Sequence, residues 1–112
     1  MSMLKLQEKI AQLSDEQLKD VYYLASHVSM DTIEELCPAL LDICLNYAEG
    51  ALKNDLGMVI FHLQKNDRIS TRIGLQKLLH GALKVNAEAT FKLLESADSE
   101  AKELSKKIKS IL

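Results

Sequence analysis

Arg72, Gln76, His80 and Lys84 follow one another at a spacing of four. On a helix that spacing sets them along one face with modest drift. Lys77 lies beside the stripe, and Arg68 and Lys65 precede it. Guanidinium and ammonium groups in such a row hold anions, either the carboxylates of an acidic protein surface or the phosphates of a nucleic acid. The same pattern also describes the solvated side of an ordinary amphipathic helix. What sets this segment apart is its charge balance. Residues 51–92 carry seven Lys and Arg against Asp55, Asp67 and Glu88, a net of +4. Residues 1–50 carry three Lys against nine acidic side chains, a net of −6. A total of −2 thus conceals an acidic half and a basic half. Such fields steer oppositely charged partners and say little about the fold.

Residues 70–97 also invite a helix-turn-helix reading, with the turn at Val85 and Asn86. Arg72 and Lys84 would then meet phosphates, and Glu88, Thr90 and Lys92 would meet base edges. Several details weigh against it. The position where a small residue usually lets the two helices cross falls on His80 or Gly81. Thr90 stands where an apolar side chain is expected. The chain as a whole is not basic, whereas nucleic-acid binders often are.

Catalytic chemistry finds little support. His27, His62 and His80 are far apart in sequence, and His62 lies in an apolar run. Asp42 and Glu49 share a helical face but stand roughly 10 Å apart by helix rise. Glycine-rich phosphate loops, activated nucleophiles and cofactor fingerprints are missing. Cys37 and Cys44 are seven residues apart, roughly 10 Å on a helix, too far for a disulfide, which needs Cα atoms within about 7 Å. Without a nearby His or third Cys they do not suggest a metal site. No catalytic, cofactor-binding or metal-binding residue is therefore assigned, and a non-enzymatic role is expected.

The elements that must position the basic stripe are helical. One proline and four glycines punctuate 112 residues, and apolar side chains recur at three and four. Ser14 with Gln17, and Asp31 with Glu34, have capping-box spacing. Ser70, Asn86 and Asp98 mark further helix starts. The spacing predicts helices over about 3–12 and 15–28, then a short turn of helix at 32–36. Pro38 either opens the next helix or kinks a longer one. Over 38–53, Asp42, Asn46, Glu49 and Lys53 form a narrow polar stripe. Leu40, Leu41, Ile43, Cys44, Leu45, Tyr47, Ala48, Ala51 and Leu52 fill most of the rest. A helix apolar around most of its circumference is enclosed by others, which places this one at the centre. Asn54 and Asp55 then mark a break. Residues 56–65 read as helix, although the run Met58–Val59–Ile60–Phe61 also suits a buried strand. A loop at Asn66–Asp67 leads to helices over about 70–84, 87–97 and 99–111. The last is basic and amphipathic, with Lys102, Lys106, Lys107 and Lys109 opposite Leu104 and Ile108. Its acids Glu100 and Glu103 fit a bundle helix better than a membrane-surface one.

The expectation is an all-α fold. Residues 1–112 make a single helical domain, a compact multi-helix bundle of five to seven helices around a central helix at about 38–53. No apolar run approaches the roughly 18 residues of a membrane span, and no secretory signal pattern opens the chain. A cytoplasmic location is expected, with membrane association unlooked for. The expected function is that of a non-catalytic interaction module which regulates, inhibits or adapts a protein partner. Contact would run through Lys65, Arg68, Arg72, Gln76, Lys77, His80 and Lys84, through the acidic half, or through both. Two oppositely charged halves also allow a homo-oligomer. A DNA-binding regulator using Arg72, Lys84, Glu88, Thr90 and Lys92 is the alternative.

Overall fold

A computed structural model describes residues 3–47 and 50–112. These form seven α-helices with no strand among them, so residues 56–65 are helical. The helices are α1 (Met3–Ala11), α2 (Asp15–Ala25), α3 (Met30–Tyr47), α4 (Gly50–Gln64), α5 (Arg68–Val85), α6 (Ala87–Ser96) and α7 (Ser99–Ile111).

Their ends follow from local chemistry. At α2 the Ser14 hydroxyl accepts from the Gln17 N–H at 3.2 Å, and the Gln17 side chain accepts from the Ser14 N–H at 3.0 Å. This is the expected capping box, each member satisfying an N–H the first turn leaves free. The one expected at Asp31 and Glu34 is absent, because α3 begins at Met30, two residues earlier than that cap implies. Ser29 precedes it, and its hydroxyl accepts from the Thr32 N–H at 3.3 Å. The α4–α5 turn forms where Asn66 and Asp67 were expected to loop. Asn66 is left-handed, with φ of 57°, a conformation Asn tolerates better than most residues. Its N–H donates to the Leu63 carbonyl and that of Asp67 to the His62 carbonyl, the paired bonds that close a helix C-terminus. Asp67 then caps α5 by accepting from the Ser70 N–H at 3.1 Å. The cap is thus Asp67 rather than Ser70. Asn86 and Asp98 cap α6 and α7 as expected.

The stretch read as one central helix at 38–53 is divided between two. α3 and α4 pack against each other, and the Cys44 thiol donates to the Leu52 carbonyl at 3.7 Å. On one continuous helix those residues would stand about 12 Å apart. Leu40, Ile43, Cys44 and Leu52 are buried as expected, and Asp42, Asn46 and Lys53 are exposed. Leu41 and Leu45, however, are 44% and 61% exposed. The side chains of Leu6, Tyr47, Ala48, Glu49 and Ala51 lie outside the described residues. Pro38 sits inside α3 on its exposed side, where water can satisfy the Glu34 carbonyl that loses its helical partner. Asn54 and Asp55 lie within α4 and break nothing.

The centre belongs to α5. It packs against α1, α2, α3, α4 and α6, and buries Thr71, Leu75, Leu78, Leu79, Ala82 and Leu83. Two glycines bring α4 close: a Cβ on Gly74 would stand 3.0 Å from Val59 Cγ2, and one on Gly81 would stand 2.7 Å from Leu52 Cδ1. These pairs also show that α4 and α5 are antiparallel. Gln7 of α1 fastens the far end. Its Nε2 donates to the Leu83 and Lys84 carbonyls at 3.0 and 2.8 Å, and its Oε1 accepts from the Ala87 N–H at 2.8 Å. One side chain thereby satisfies the last carbonyls of α5 and the first N–H of α6, groups that a helix leaves unpaired. The buried Thr71 and Thr90 hydroxyls donate to the carbonyls of Asp67 and Asn86, four residues back.

Candidate docking face

Arg72, Gln76 and His80 do lie on one face of α5, but that face is a seam with α2. All three are half-buried. Arg72 Nε donates to the Val28 carbonyl at 3.0 Å, holding the loop after α2. His80 Nδ1 lies 3.5 Å from the Tyr22 hydroxyl, the rings edge to face with centroids 6.0 Å apart. Burial, followed by the neighbouring Lys84 charge, pushes the His80 pKa below its ordinary value. Its neutral form therefore dominates near pH 7, and it adds no fixed charge for an anion. The expected set divides accordingly. Arg72 and His80 make contacts within the fold, Gln76 is half-buried between them, and Lys65, Arg68, Lys77 and Lys84 are exposed.

The His80 shift has a consequence for stability. The unfolded chain binds this proton near the ordinary histidine value of about 6.5, while the folded chain does so only at lower pH. Stability is full above that value and falls as pH drops through it, levelling off below the folded pKa. Urea melts between pH 7 and pH 5 should show this decline, and His80→Gln should flatten it. Equal slopes for the two proteins would remove His80 from the account.

Beside the seam runs a second row. Ile69, Ile73 and Lys77 also follow at a spacing of four, and all are exposed, Ile69 by 74% and Ile73 by 50%. Across from them on α4, Met58 and Phe61 are each 50% exposed. A shallow groove of about 230 Å³ separates the helices, lined by Asp55, Met58, His62, Ser70, Ile73, Gly74 and Lys77. Lys65 Nζ lies 5.6 Å from the Phe61 ring centroid, within the range of a cation–π contact. Asp67 stays a carboxylate, its pKa held low first by the Ser70 N–H and hydroxyl. Local periodicity missed the apolar members of this face. The available signal was two isoleucines four apart in a row that also holds Lys77, away from the Leu75–Leu78–Leu79 core side.

The base-reading alternative meets a direct obstacle. Thr90 is 0% exposed. α6 packs against α1, α3, α5 and α7 and buries Ala87, Thr90, Phe91, Leu93 and Leu94, so Thr90 faces the core rather than the outside. Glu88 and Lys92 are exposed but pair with each other at 3.2 Å. Only Asn86 separates α5 from α6, where a helix-turn-helix has a turn of about 3–4 residues.

The three histidines have separate surroundings. The His27 ring lies tilted against Tyr23 with centroids 4.4 Å apart, His62 lies 4.0 Å from the Asp67 carboxylate, and His80 meets Tyr22. Cys37 and Cys44 are free thiols, their pKa values raised mainly by burial. Among the described residues no group of three His, Cys, Asp or Glu is arranged to hold a metal ion. No helix among them is long and apolar enough to cross a membrane. Comparison with protein-family models, curated proteins and solved structures finds no match to this chain.

Proposed function

We propose that the protein is a small, non-catalytic cytoplasmic interaction module that regulates, inhibits or adapts a protein partner. The docking surface is the outer face of α4 and α5. One observation carries this reading: Met58, Phe61, Ile69 and Ile73 are each half or more exposed, beside the exposed cations Lys65, Arg68 and Lys77. Large apolar side chains gathered on a monomer surface mark interaction sites, whereas a merely solvated face would hold polar residues there. The apolar members supply contact area. The cations at the rim set the encounter rate and the sign of the partner. α5 contains no acidic residue, so the complementary partner is an acidic surface with an apolar ridge, such as one side of an amphipathic helix.

Co-purification from native cells, with and without nuclease, tests this. The protein should retain a partner after nuclease treatment. Ile73→Asp should lose it, and Arg68→Glu with Lys77→Glu should slow association about tenfold or more at low salt. Capture that persists unchanged in these variants, or that vanishes on nuclease treatment, would overturn the reading.

A further inference from the structure

α2 and α7 run antiparallel. The Gln17 side chain reaches the Ile111 carbonyl at one end, and the Ser29 N–H reaches the Glu100 carboxylate at the other. Between the two helices lies a groove of about 320 Å³, within the range of small-molecule sites, about 300–1,000 Å³. α7 packs against α2 and α6, whereas α4 packs against α3 and α5, so this groove stands apart from the α4–α5 face.

The groove joins three kinds of surface. Its floor is apolar, made by the buried Val28 and Leu104 and the half-buried Leu24. Its wall is the Tyr23 ring, 65% exposed and tilted by 54° against the ring of His27. The Tyr23 carbonyl lies 2.7 Å from His27 Nδ1. A carbonyl only accepts, so the neutral ring carries its proton on Nδ1 and keeps Nε2 as an acceptor. The rim is charged. Glu100, Glu103 and Lys107 are spaced three and four on α7, hence on one face, and all are exposed. Glu100 gives one oxygen to Ser29 and keeps the other. Among the described residues neither Glu103 nor Lys107 enters an ion pair. Lys107 is the only Lys or Arg lining the groove, and it also lines the adjoining one, where Asp20 stands.

We propose that the α2–α7 groove binds a small organic cation built on an apolar ring, of the arylalkylamine class. The ring covers Leu24, Val28 and Leu104, surface that water otherwise wets. The ammonium group meets the Glu103 carboxylate and the free oxygen of Glu100, and the face of Tyr23 attracts the same charge. An anionic ligand of the same shape would meet two carboxylates for one ammonium.

Amide chemical-shift titration of the full chain tests this, with benzylammonium chloride as the probe and phenylacetate as its counterpart of opposite charge. Benzylammonium should move the signals of residues 23–28 and 100–107 saturably at millimolar concentration. An exposed ion pair contributes about threefold to affinity, so phenylacetate, which exchanges attraction for repulsion, should bind about tenfold more weakly. Glu103→Gln should weaken benzylammonium about threefold, and Tyr23→Ala should abolish saturation. Both sites are exposed, circular dichroism checks that each variant keeps its helices, and the comparison of the two probes needs no variant. Equal affinity for the two probes, saturation that survives both substitutions, or shifts confined to the α4–α5 groove would overturn the assignment.

Discussion

Ile43→Asp should unfold the protein, whereas Leu41→Asp, two residues earlier on α3, should change its stability by less than about 1 kcal/mol, as exposed sites usually do. Ile43 is 4% exposed within the common core, and Leu41 is 44% exposed. A carboxylate at 43 would be buried with no basic residue on α3 to meet it. Burial of an unpaired polar group costs several kcal/mol, and of a charge more, against a total stability of about 5–15 kcal/mol for an ordinary domain. At 41 the same carboxylate would face water. Urea denaturation of both variants makes the comparison. If both unfold, the exposed side of α3 described above is wrong. The periodicity of 38–53 alone leads to that other outcome, because it treats Leu41 and Ile43 as equally enclosed.

The reason for that difference shows what local sequence can and cannot carry. Helix ends were legible because their chemistry is local: Ser14, Asn86 and Asp98 cap N–H groups three residues on. The core side of α5 was legible for the same reason, as Leu75, Leu78, Leu79, Ala82 and Leu83 follow the helical period. The α3–α4 reversal was not. Two helices that pack on each other across Cys44 and Leu52 place apolar residues on both sides of their junction. Read in one phase, these encircle a single imaginary helix. Asn54 and Asp55, read as the break, sit within α4 instead.

The candidate face was legible in part. Its cations stand out from composition alone, and Lys65, Arg68, Lys77 and Lys84 are indeed exposed. What the spacing-four row could not reveal is that α2 comes to lie on it. The Val28 carbonyl and the Tyr22 hydroxyl are more than forty residues from Arg72 and His80, and nothing in the row announces them. Likewise Gln7 gives no local signal of its three bonds to the α5–α6 junction, about eighty residues away. Long polar contacts of this sort depend on the assembled bundle.

Gly74→Leu should destabilise the protein by about 3 kcal/mol, the upper end of the usual range for overpacking a core. A Cβ at 74 already stands 3.0 Å from Val59 Cγ2 and 3.8 Å from the Val59 Cα. Val59 is 0% exposed, and its branched side chain has few rotamers to retreat into on a helix. The remaining atoms of a leucine must then push α4 away from α5. Replacing glycine inside a helix gains only about 0.5–1 kcal/mol, too little to offset the clash. Gly57→Ala isolates that gain, because nothing lies within 4 Å of a Cβ there, and it should be more stable than the wild type by about that amount. Gly81 is the softer contact of the pair, since the obstructing atom is the tip of Leu52, which can rotate aside. Denaturant melts should therefore rank Gly57→Ala above the wild type and Gly74→Leu well below it. Gly74 also lines the groove with Met58 and Ile73, so the same spreading should weaken docking on the α4–α5 face. A Gly74→Leu protein as stable as the wild type would mean that α4 and α5 do not approach closely at Val59, and the groove between them would lose its geometric basis.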